Sequence, residues 1–240
     1  MIDTGAPHPD KIGTMASQPP TKVYQFGHER QPVVVIDGFS GRPDELLARA
    51  RAAEYREGGA SYPGIRSWAA PDYLDLRRDL LFAILQRVFG FRKGIELEAS
   101  TFSMVTKRPE ELSAVQRIPH YDHAGGELIA IMHYLLDDSR GGTAFYRHRR
   151  TGFETITPAR EGQYSSALKA DEAEFGMPES GYHYGDSDRY EMIGEVRSKP
   201  DRFVLYRGCQ LHSGVIPDPA VLTDDPQSGR VTINMFMLGA

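Results

Sequence analysis

One cysteine, Cys209, stands in 240 residues, so no disulfide can form within the chain and nothing in it requires an oxidising compartment. Tryptophan is as scarce, at one residue. No apolar run approaches the roughly 20 residues that a bilayer-spanning helix needs. The longest, residues 128–136, is interrupted by His133. The amino terminus lacks the basic-then-apolar order of a secretion signal, so a cytoplasmic setting without membrane contact is expected. Basic charge is also short. Lys and Arg number 28 against 33 Asp and Glu, a net charge of −5, which excludes an extended nucleic-acid footprint because phosphate backbones select a basic stripe. The local exception, Arg147-His148-Arg149-Arg150, reads either as a receiver for an anionic substrate or as a solvated strand end.

What is present suits a globular domain, since 40% hydrophobic residues suffice for a sizeable core. Residues 1–20 carry Gly, Pro, Ser and Thr without apolar periodicity and are expected to be disordered. Residues 21–240 are expected to form one domain, in which 21–96 supply a strand and supporting helices. Pro32–Ile36 is a β-branched run closed by Asp37-Gly38. Ser40 stands where an N-cap would, ahead of a helix with Pro43 in its first turn and Leu46, Leu47, Ala50 and Tyr55 on its apolar face. A second helix is expected from Pro71 to Gly90, burying Tyr73, Leu80, Leu81, Ile84, Leu85 and Val88. From residue 97 the period becomes that of strands, and such a series after two helices implies a two-sheet barrel. Residues 158–200, rich in Gly, Ser, Tyr and acidic residues, read either as a lid beside a site or as a surface excursion with its own small helices.

The chemistry concentrates in a few positions. His120 and Asp122 lie two residues apart, and His212 follows much later on a strand-like segment. Two imidazoles and one carboxylate can hold one face of an octahedral metal and leave other positions open, a set that suits non-haem Fe(II). They equally make an acceptable catalytic zinc site, so a cupin-like metal-binding module or zinc hydrolase stays open as the alternative. Arg230 favours the oxygenase, because a guanidinium fork can anchor the far carboxylate of an oxo-acid whose near end chelates iron. Strand alternation puts Arg230, Thr232 and Asn234 on one face and Val231, Ile233 and Met235 on the other. His123 and His148 are rival ligands, and Cys209 reads either as a thiolate ligand or as a small buried residue.

The order of these pieces resembles a known family. Pro119-His-Tyr-Asp122, the Gly125-Gly126 turn, the apolar strand ending Tyr134-Leu135 and Gly141-Gly142-Thr143 are followed by Arg202-Phe-Val-Leu-Tyr-Arg207, Leu211-His-Ser-Gly-Val-Ile-Pro217 and Arg230-Val-Thr-Ile-Asn234. Together they resemble the catalytic core of the Fe(II)/2-oxoglutarate-dependent dioxygenases, particularly the prolyl-hydroxylase-like branch. The resemblance covers residues 97–238. It implies a double-stranded β-helix, or jelly-roll, whose mouth holds Fe(II) on His120, Asp122 and His212. It also implies 2-oxoglutarate bound by Arg230 and Thr232 with Tyr134 as a further contact, consumption of O2, release of succinate and CO2, and hydroxylation of a small molecule or peptidyl side chain. The cosubstrate-binding basic residue is Lys in many prolyl hydroxylases and Arg here, so the resemblance points to the superfamily more than to prolyl hydroxylation.

Overall fold

The computed structural model describes residues 18–59, 61–219 and 222–239. The expectation of disorder at the amino terminus lies, up to residue 17, outside the described residues. Eleven strands are seen among them: β1 (Thr21–Phe26), β2 (Gln31–Asp37), β3 (Arg56–Glu57), β4 (Gly64–Trp68), β5 (Ile95–Val105), β6 (Leu128–Tyr134), β7 (Gly142–His148), β8 (Tyr190–Arg197), β9 (Arg202–Arg207), β10 (His212–Val215) and β11 (Val231–Gly239). The helices are α1 (Pro43–Arg51), α2 (Arg78–Arg87) and α3 (Glu161–Phe175). A large sheet runs β1-β2-β9-β6-β11-β5-β4-β3 and a small one β10-β7-β8, with every pairing antiparallel. This is the double-stranded β-helix.

Side-chain parity sorts the large sheet into two faces. Val34, Ile36, Ile129, Ile131, Phe203, Leu205, Ile233 and Met235 pack outward against α1 and α2, around Leu46, Leu81 and Leu85. The alternate residues Val33, Val35, Ala130, Tyr134, Val204 and Tyr206 face the small sheet and meet Phe145. A strand covered on both faces should read as a continuous apolar run, and Val33–Ile36 does. The crevice between the sheets is where the polar parity of β11 opens.

The helical layer differs from expectation at its entry. Helix α1 begins at Pro43 with Arg42 at the N-cap and no side-chain cap, and Tyr55 lies beyond its end. Ser40 is taken by another partner: its hydroxyl donates to Asp201 Oδ1 at 2.6 Å, and the amides of Ser40 and Gly41 also donate to that carboxylate. Residues from Pro71 to Arg77 wind as a 3-10 turn before α2 starts at Arg78. Residues 158–200 supply α3 and β8, and β8 pairs with β7 as an edge of the small sheet.

Two glycines start β7. Gly141 has φ 94°, and a Cβ there would overlap the carbonyl of Val215; at Gly142 it would overlap the carbonyl of Val196. The turn is thereby pressed between β10 and β8, which sets Thr143 in register with Gly214.

Candidate metal centre

His120 and His212 face each other across an isolated antiparallel bridge, each amide donating to the other's carbonyl at 2.9 and 2.8 Å. The next extended position with the same parity as His120 is Asp122, whose amide donates to the carbonyl of Gly208 at 2.7 Å. Backbone pairing alone therefore brings the three side chains together. Their ligand atoms lie within 4.8 Å of one another, with His212 Nε2 3.6 Å and His120 Nε2 3.9 Å from the two Asp122 oxygens. The imidazole centroids are 4.3 Å apart.

The protonation pattern calls for a cation. His212 Nδ1 lies 2.8 Å from the carbonyl of Gln210, which can only accept, so Nδ1 carries the proton and the Nε2 lone pair faces Asp122. Burial pushes the His212 imidazole down to about 4, so at neutral pH it stays uncharged. His120 is lowered to about 4 by desolvation and by His212, and about half of its side chain remains open to solvent, 53% by surface. Desolvation raises the Asp122 carboxyl to about 6, against the opposing pull of His120 and Arg66. Two imidazoles, both with lowered affinity for a proton, thus face a carboxylate, an arrangement that a divalent cation stabilises. The donor set fits Fe(II).

A cationic end lies along the same crevice. Arg230, buried, donates through Nε to the carbonyl of Arg140 at 2.5 Å and through Nη2 to that of Gly142 at 3.5 Å, and among the described residues it forms no ion pair. Tyr134 and Thr232 are cross-strand partners on the inward face. The Tyr134 hydroxyl meets Thr143 Oγ1 at 2.6 Å, and Thr232 Oγ1 donates to Asn234 Oδ1 at 2.8 Å. Burial raises the Tyr134 phenol, so it remains a neutral hydroxyl. The structure thus gathers His120, Asp122 and His212 at one place and Arg230, Thr232 and Tyr134 at another along one crevice. His123 is instead bonded to Glu127, and His148 is buried on Asp171 and Thr151. The Arg147–Arg150 cluster is consumed by pairs: Arg147 with Glu154 and Glu191, Arg149 with Asp186, Arg150 with Asp171 and Glu174. Cys209 is buried, its thiol pushed up to about 11, and it takes no part in the cluster.

Residues 17–237 match the model of a family of unknown function, DUF6445. The chain belongs to this family. No curated protein matches it. Among solved structures, the DUF6445 chain is similar to HygX from Streptomyces hygroscopicus with nickel, 2-oxoglutarate and hygromycin B bound, at 16% identity and TM-score 0.50 over 88% of this chain and 84% of that one. It is also similar to the non-heme alpha ketoglutarate dependent epimerase SnoN from nogalamycin biosynthesis, at 16% identity and TM-score 0.49 over 88% and 80%. The likeness to HygX shows the double-stranded β-helix fold.

The DUF6445 crevice contains side chains that motif order did not single out. Tyr206, buried on β9, sets its ring 4.9 Å from that of His212. Its parity with Arg202 and Val204 was the available signal. Arg66 and Tyr62 come from the hairpin of β3 and β4, where short irregular sequence hides the period. Tyr182 donates to the carbonyl of Lys107 at 2.6 Å and lies within reach of the Arg230 charge. A cavity of about 580 Å³ opens beneath residues 175–190, bordered by Arg117 and Ile118 just ahead of His120 but not by the three candidate ligands.

Proposed function

We propose that this protein is an Fe(II)- and 2-oxoglutarate-dependent oxygenase that hydroxylates a small molecule or a peptidyl side chain. The observation that carries the reading is the pairing of a two-imidazole, one-carboxylate cluster with a buried arginine that has no acidic partner among the described residues. His120, Asp122 and His212 would hold the metal, and Arg230 would receive the distal carboxylate of 2-oxoglutarate. The hydroxyls of Thr232 and Tyr134, bonded here to Asn234 and Thr143, would turn toward that carboxylate. Thr143, bonded to Tyr134, lies two residues along β7 from Phe145, the partner of His212. That separation is roughly 7 Å, of the order of a five-carbon diacid. The nickel and 2-oxoglutarate bound to HygX support the same assignment. Bound Fe(II) and 2-oxoglutarate would together supply activation of O2, with succinate and CO2 as coproducts. The chain's own part is to orient the two reactants and keep water from the crevice.

No helix among the described residues is long and apolar enough to cross a membrane. A reducing cytoplasm suits both a free Cys209 and ferrous iron.

Anaerobic addition of Fe(II) followed by 2-oxoglutarate should generate the weak visible charge-transfer band of a chelated oxo-acid. Arg230→Ala should weaken 2-oxoglutarate binding by about 2–5 kcal/mol, the range for removing one partner of a buried charge pair, while metal binding persists. No band from the wild-type protein, or unchanged 2-oxoglutarate affinity in the variant, would overturn the assignment.

A further inference from the structure

The large sheet carries a second arginine into the crevice. Arg66 on β4 pairs in register with Ser103, Ser103 with Thr232, and Thr232 with Tyr134. Directly opposed residues in antiparallel strands share a face, so Arg66 lies on the same inward face as Thr232 and Tyr134. Its guanidinium lies 3.9 Å over the ring of Tyr62, which holds the fork in one plane. The Nε is buried without a hydrogen-bond partner, and among the described residues Arg66 forms no ion pair. Its charge also acts on His120 and Asp122, which puts the guanidinium within electrostatic reach of both ligands. Each arginine of the Arg147–Arg150 cluster is neutralised by a carboxylate. Arg66 is not.

Geometry says what Arg66 is for, given the reading under Proposed function, on which this inference rests. Arg230 is assigned there to the distal carboxylate of 2-oxoglutarate, which leaves the Arg66 guanidinium on the inward face with a buried Nε that no group accepts from. A charged donor withdrawn from water is costly unless paired, so an anionic partner remains to be supplied. A planar guanidinium held on an aromatic ring matches a carboxylate through two parallel hydrogen bonds. We propose that Arg66 receives a carboxylate of the primary substrate, so that the molecule oxidised is an organic acid presenting that carboxylate to the β4 side of the crevice.

The test uses the full chain loaded with Ni(II) and 2-oxoglutarate. A panel of N-acetyl amino acids is titrated calorimetrically against the matching C-terminal amides and O-phosphorylated analogues, in wild type, Arg66→Met and Arg66→Lys. Wild type should select acids over their amides. Arg66→Met should lose that selection by about tenfold or more, Arg66→Lys should recover part of it, and in both variants 2-oxoglutarate affinity should fall by much less than acid selection does. Met keeps the apolar contact with Tyr62, and an unshifted melting temperature shows that the fold is retained. Acids and amides that bind alike, or fail to bind alike, overturn the proposal. So does tighter binding of the phosphorylated analogues, which would assign Arg66 to a phosphate. A loss of 2-oxoglutarate affinity in Arg66→Met as large as the loss of acid selection would assign Arg66 to the cosubstrate and overturn the proposal. Wild type that binds no 2-oxoglutarate at all would instead sink the oxygenase reading itself.

Discussion

His133 and Asp201 show what a buried polar pair does here apart from the candidate site. The Tyr73 hydroxyl donates to His133 Nδ1 at 3.0 Å, and His133 Nε2–H donates to Asp201 Oδ1 at 2.9 Å, so one neutral tautomer satisfies the chain of bonds. Burial lowers the His133 imidazole against the pull of Asp201. Burial alone would raise the Asp201 carboxyl, but the bonds from His133 and Ser40 hold it below the usual carboxylate range. Both shifts have the same sign for stability. Unfolding takes up protons at His133 once pH falls below the free-imidazole value of about 6.5, and at Asp201 once it falls through the free-carboxylate value of about 3.9, so the network's contribution is present at neutral pH and lost on acidification. His133→Gln should therefore lose less stability than wild type between pH 7 and pH 5, read as the difference in melting temperature. Asp201 also adopts φ 61°, a conformation Asn tolerates better than Ala. Asp201→Ala should cost about 1–3 kcal/mol for each buried donor that it leaves unpaired, and Asp201→Asn less, measured by urea unfolding. At the candidate centre, single Ala replacements of His120, Asp122 or His212 should abolish tight Ni(II) binding and turnover while leaving far-UV circular dichroism intact, because the bridge between residues 120 and 212 is made by the backbone.

At the scale of elements, the turn that starts β7 links scaffold to site. The carbonyls of Arg140 and Gly142 accept from Arg230, and Gly141 between them is held at φ 94° against the carbonyl of Val215. Gly141→Ala is expected to cost upwards of about 1 kcal/mol of stability and, by displacing those carbonyls, to weaken 2-oxoglutarate binding several-fold in calorimetry. The stretch after α3 belongs to a different regime. Among the described residues 176–189 no strand or helix forms, and Tyr182 ties this stretch to the end of β5 through the carbonyl of Lys107. We expect it to govern substrate acceptance. Tyr182→Phe or a shortened loop should leave Ni(II) and 2-oxoglutarate affinities as in wild type but uncouple succinate formation from substrate oxidation. Unchanged coupling would make it a surface excursion.

For the whole molecule, buried apolar clusters form between the helical layer and the large sheet, between the two sheets, and against the small sheet around Tyr164. A metal that binds only the folded chain raises stability by mass action, about 2.7 kcal/mol at a hundredfold excess over its dissociation constant. The melting temperature of wild type should thus rise with Ni(II), whereas that of Asp122→Ala should not. Much of this architecture was legible beforehand for a local reason. Strand period, the Gly-Gly turn and the order His120, Asp122, His212, Arg230 are properties of short segments, and the alternation on β11 already separated Thr232 and Asn234 from Val231 and Ile233. Other features depend on partners distant in sequence. Ser40 reads locally as a helix cap, but Asp201, 161 residues away, takes its hydroxyl and amide. Arg66 reads locally as one charge in an unremarkable strand, and acquires meaning only when three successive cross-strand registers align it with Thr232 and Tyr134. Residue types and their spacing are encoded in the chain, and so is the chemistry they can perform. Which of them share a crevice, and which charges there remain unpaired, follows from register and long-range hydrogen bonding, because each is a sum over contacts between segments that no local window contains.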